Sequence, residues 1–137
     1  MVEGTAGPRW SEESAAQALA SVRAACLALP RTSERLSHGS PAFFVGPRCF
    51  AMSQVDHHGD GRLALWCAAP PGVQAELVEL EPDRFFRPPY VGHRGWLGVL
   101  LDRLAPEELG PLVHEAWACV APAAARREEE AGGSGGR

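Results

Sequence analysis

Residues 42–67 read AFFVGPRCFAMSQVDHHGDGRLALWC. Three short apolar runs, Ala42 to Val45, Cys49 to Met52 and Leu63 to Cys67, are separated by Gly46-Pro47 and by Asp56 to Gly61. Short apolar or aromatic runs broken by Gly-Pro and Asp-Gly signals argue for hairpins. This stretch is expected to form a three-stranded antiparallel meander, preceded by a weaker strand over Glu34 to His38.

The flanking segments change texture. Upstream, Ser11 is a candidate N-cap, with Glu12 and Glu13 in the first turn where carboxylates suit the helix dipole. Leu19, Val22, Cys26 and Leu29 recur at helical spacing, and the helix is expected to stop before Pro30. Downstream, Pro70-Pro71-Gly72 opens a second helix with Val73, Leu77 and Leu80 on its buried face, ended by Pro82. Residues 83–95 are rich in turn formers, and Trp96 to Leu101 is a strand. The last helix follows Pro106, with Leu109, Leu112, Val113, Ala116 and Val120 on one face; Pro111 places the start of the helix proper near Gly110. Residues 1–10 are expected to be a disordered lead and 123–137 a disordered polar tail, leaving one domain over 11–122. This order of elements implies an α+β fold: a single antiparallel sheet with helices packed on one face.

A chain of 137 residues, 45% hydrophobic, suits one domain with its own core. No apolar run reaches about 18 residues, and the N-terminus lacks the apolar stretch of a secretory signal, so a cytoplasmic protein with no membrane partner is expected. Cys26, Cys49, Cys67 and Cys119 stand singly among apolar neighbours and read as buried thiols. The net charge is −4, and all 13 basic residues are arginine. Such a chain does not attract phosphate over its whole surface, so nucleic-acid binding requires a local basic face. No phosphate-binding loop, dinucleotide fingerprint or metalloprotease helix is present, and neither a cofactor nor a catalytic apparatus is expected.

Three segments together, HGSPAFFV (38–45), DHHGDGRLALWCAAPPG (56–72) and DRFFRPPYVGHRGWLGVLLD (83–102), resemble the MmcQ/YjbR family. The resemblance covers residues 15–122 and implies a CyaY-like fold, also described as a double wing, in a family labelled DNA-binding. Members tend to carry basic residues at the 46–48 hairpin, at the position of Leu100 and soon after Pro122; of these, this chain keeps Arg48.

Three groups of residues are candidates for function. His57 and His58, flanked by Asp56 and Asp60, are types that ligate zinc or nickel, but adjacent histidines in an extended hairpin point to opposite sides, so a solvated turn is expected. His38 has no nucleophile or acid assigned to it and reads as a structural histidine bonded to a loop carbonyl. The richest set is Arg84, Arg87, Tyr90, His93, Arg94 and Trp96, where arginines interleave with aromatics; Phe85 or Phe86 and Trp96 are expected in the core. Trp10, Trp66 and Trp117 read as packing residues. A binding protein without catalysis is thus the leading expectation. Weak DNA binding would use Arg48, Arg62, Arg84, Arg87 and Arg94 for phosphates, with Tyr90 or His93 for stacking. The alternatives are a protein-interaction or small-ligand module using the 84–96 loop, and a metal-binding protein or enzyme centred on His38 and His57 or His58.

Overall fold

The computed structural model describes residues 10–135. The expected disordered lead, residues 1–10, lies outside the described residues apart from Trp10, whose indole nitrogen donates to the Gly61 carbonyl at 2.9 Å.

Helix α1 (Glu12–Leu27) begins at a capping box: Ser14 N donates to Ser11 Oγ and Ser11 N to Ser14 Oγ, at 3.1 and 2.7 Å. The meander follows as β1 (Thr32–Ser37), β2 (Ser40–Val45), β3 (Arg48–Val55) and β4 (Leu63–Cys67), each pair antiparallel. Left-handed His38 and Gly39, with φ of 52° and 83°, form the two-residue turn between β1 and β2. A left-handed Gly46 beside Pro47 reverses the chain between β2 and β3. Helix α2 (Val73–Leu80) leads to β5 (Phe85–Phe86) and then β6 (Leu97–Leu100), completing a sheet of order β1-β2-β3-β4-β6-β5. The two-residue β5 escaped the sequence reading because Arg87-Pro88-Pro89 stops it at once, and proline confines it to the sheet's edge.

Register sorts the strands into two faces. Phe43, Ala51, Leu65, Cys67, Leu97 and Val99 point to the side covered by α1 and α3 (Pro106–Val120), where Val22, Cys26, Val113, Ala116 and Trp117 complete the core. A bulge between Phe43 and Phe44 adds Phe50, also fully buried. The Trp117 indole nitrogen donates to the Pro30 carbonyl at 3.1 Å and ties α3 to the turn after α1.

Two expectations about α3 and the tail need correction. α3 is continuous from Pro106 across Pro111. Proline forfeits one hydrogen bond to the preceding turn, and the buried face from Val113 to Val120 outweighs that loss. The region expected to be a disordered tail is helix α4 (Ala123–Gly135). Its AAARREEEA run consists of strong helix formers, a propensity that the polar composition concealed. α4 docks: Ala125 is fully buried, Arg31 pairs with Glu128 at 2.7 Å, and His114 meets Glu129 at 3.1 Å. The Arg31 guanidinium also holds the Glu128 carboxyl below the usual carboxylate range. Truncation after Pro122 is therefore expected to lower the melting temperature by roughly 3–6 °C, about 1 kcal/mol for a domain of this size. An unchanged melting curve would show that the docking contributes nothing.

Gly98 sits between Trp66 and Phe86 in the register, and the Phe86 ring lies over it. A Cβ there would come within 2.5 Å of two ring carbons. Gly98→Ala must displace a buried aromatic and is expected to cost about 1–3 kcal/mol, read by denaturant titration.

Candidate functional site

The other, open face of the sheet is the one turned away from α1 and α3, although Ala42, Gln54, Trp66 and Phe86 on it are buried. Its strand residues include Arg35, Phe44, Cys49, Met52, Gln54, Trp66 and Phe86, and none of the residues in register on this face is acidic. Alternation explains Arg35: in TSERLS, Glu34 faces the helices and bonds Arg23 of α1 at 2.6 Å, so Arg35 must face away. The carboxylates lie mostly on the helices, with Asp56 and Asp60 beside the open face. Both of these accept backbone N–H groups of their own loop, Asp56 from Gly61 at 2.7 Å and Asp60 from Arg62 at 2.9 Å.

Three guanidiniums lie on aromatic rings here. The distances to the ring centroids are 3.8 Å for Arg35 over Phe44, 4.0 Å for Arg62 over Phe86 and 5.4 Å for Arg94 over Trp96. Stacking orients a guanidinium and leaves its outward N–H groups free for an anion. Burial raises the Cys49 thiol, a rise opposed by backbone hydrogen bonds with Ala51 and Phe43 and by the charges of Arg94 and Arg35. Arg62 also has Asp60 at 3.9 Å.

Beside Arg62 lies an aromatic cluster. His57 has the His58 ring 4.1 Å away, Trp66 at 4.8 Å and Tyr90 at 5.8 Å, all edge to face. The Tyr90 hydroxyl meets His58 Nε2 at 3.5 Å. The expectation that His57 and His58 point to opposite sides fails, because residues 57–59 form a 3₁₀ turn instead of extended hairpin and His58 is left-handed, with φ of 50°. Asp56 and Tyr90 are left-handed too, at 53° and 67°. The Trp66 side chain is buried, yet among the described residues its Nε1 has no hydrogen-bond partner, and neither has the buried Nε2 of His57. Such orphans are uncommon in native structures.

The remaining candidates separate. Arg84 is engaged by Glu81 at 2.8 Å and Glu108 at 2.7 Å on the helix side, so it is not free for phosphate. Arg48 donates to the Val120 carbonyl at the end of α3 at 3.4 Å. Arg87 and His93 are exposed on the loop, with the Arg87 stem packed over Gly92. His38 is an exposed turn residue whose Nδ1 lies 3.4 Å from Ser37 Oγ, not against a carbonyl. Among the described residues no three His, Cys, Asp or Glu side chains converge to hold a metal ion. Burial pushes the Cys67 thiol up to about 12 and that of Cys26 higher, so both stay protonated at neutral pH and are poor ligands and nucleophiles. Arg35, Phe44 and Trp66 were missed as site residues; strand alternation in TSERLS was the available signal for the first, and none marked Trp66 as more than core.

The YjbR family model matches residues 27–119. The chain belongs to the YjbR family. The fold agrees: the crystal structure of Deinococcus radiodurans protein DR2400, a DUF419 domain, is similar with a TM-score of 0.64 and 23% identity, over 80% of this chain and 86% of that one. No curated protein matches. The expected α+β fold with one antiparallel sheet is thus that of this YjbR protein. No helix among the described residues is long and apolar enough to cross a membrane.

Proposed function

We propose that this YjbR protein is a cytoplasmic, non-catalytic binding protein whose open sheet face takes single-stranded nucleic acid. The observation that carries the reading is the set of three arginines, Arg35, Arg62 and Arg94, each laid on an aromatic ring along a sheet face to which no strand carboxylate points. Outward N–H groups at intervals suit a phosphate backbone, and exposed Tyr90 and His58 offer rings for bases. A duplex keeps its bases inside and would use the arginines alone. Four free cysteines suit a reducing compartment; the thiols of Cys26 and Cys67 are buried and held protonated, whereas Cys49 is half-buried and Cys119, expected to be buried, is exposed.

The net charge of −4 opposes long-range attraction, so modest affinity is expected, in the range of about 10⁻⁴–10⁻⁶ M typical of sequence-independent contacts. Three phosphate contacts on a single strand give a slope of log affinity against log salt of about −2. Fluorescence anisotropy with a labelled oligonucleotide of about 12 nucleotides, at several salt concentrations, tests this. Saturable binding with that slope supports the reading; no binding at low salt, or binding indifferent to salt, overturns it.

A further inference from the structure

We infer that the cluster of His57, His58, Trp66 and Tyr90 is a pocket for one unpaired nucleobase, an inference that rests on the single-strand reading above. Two polar atoms, Trp66 Nε1 and His57 Nε2, are buried in neighbouring rings and lack partners among the described residues. A buried donor or acceptor left without a partner is costly, and a ligand that supplies one recovers that cost. Beside them stand two exposed rings: Tyr90 is 68% exposed, His58 is exposed, and the Tyr90 hydroxyl meets His58 Nε2 at 3.5 Å. Both sit at left-handed backbone, as does Asp56. For a bulky tyrosine such a φ is a genuine outlier, and strain of this kind concentrates at ligand sites.

The chemistry selects the ligand. The indole N–H requires an acceptor, while the imidazole nitrogen requires a donor or an acceptor according to its tautomer. An unpaired base presents donors and acceptors side by side on one edge and a flat face to the tyrosine and imidazole rings. A paired base has that edge occupied. Arg62, stacked on Phe86 beside the cluster, is placed to hold a phosphate of the same strand.

The test compares a labelled single strand of mixed sequence with an abasic strand of the same length, which keeps the phosphates and removes the bases. Wild type should bind the base-bearing strand about tenfold or more tightly than the abasic one, the scale of one base–aromatic stack. Tyr90→Ala should erase that difference and leave affinity for the abasic strand unchanged; Tyr90→Phe, which keeps the ring, should preserve most of it. Equal affinity of wild type for the two strands would overturn the pocket while leaving the arginine face standing. A base preference that survives in Tyr90→Ala would also overturn it. Failure to bind either strand would remove the single-strand reading and the pocket together.

Discussion

Trp96→Ala is expected to lower stability by roughly 3–5 kcal/mol, the range for deleting a buried large aromatic. Trp96 is 4% exposed and stands where the crossover from β5 enters β6. Its carbonyl and that of Gly92 both accept from Gln74 Nε2, so α2, the loop and the strand meet at one point. Pro88 and Pro89 fix two successive φ angles just upstream, and buried Pro88 anchors the loop to the core. Arg87→Ala and His93→Ala, at exposed positions of the same loop, should each stay within about 1 kcal/mol of wild type. Denaturant titration of the three variants settles the contrast. If the two polar substitutions destabilise as strongly as the tryptophan, the loop's charged residues are structural.

The second large effect concerns binding. Replacing Arg35, Arg62 and Arg94 together by Glu should weaken single-strand binding by at least about 100-fold and flatten its salt dependence, since about two units of salt slope rest on three phosphate contacts. Arg35 and Arg94 are exposed and Arg62 half-buried, so the fold should survive, as circular dichroism would verify. Arg84→Ala provides the contrast. Its guanidinium bridges Glu81 and Glu108 and holds the Glu108 carboxyl below its ordinary range, so its loss should disturb the α2–α3 contact and leave binding unchanged. Weakened binding in Arg84→Ala with intact binding in the triple variant would reverse the assignment of faces.

The sheet was legible because each strand of the meander is bounded by its own turn chemistry, Gly46-Pro47 and the Asp56 to Gly61 loop. Periodicity marked α1 through Val22 and Cys26 and α3 through Val113, Ala116 and Val120. α4 was not legible because its anchors are a single buried Ala125 and pairs to Arg31 and His114, which are distant in sequence. The site was half legible. Arg62, Tyr90 and Arg94 were candidates by composition, and Arg62 and Arg94 lie on aromatic rings, whereas Arg48 and Arg84 turn to helix carbonyls and carboxylates that no local pattern reveals. The histidine pair misled because extended geometry was assumed for a loop that contains a 3₁₀ turn and left-handed residues.

The central claim, that the open sheet face is the binding surface, is tested most directly by amide chemical-shift mapping during titration with a short single-stranded oligonucleotide. Perturbations should centre on Arg35, Phe44, Arg62, Tyr90 and Arg94 and spare α1, α3 and α4. Perturbations centred on the helices, or none at saturating oligonucleotide, would contradict it.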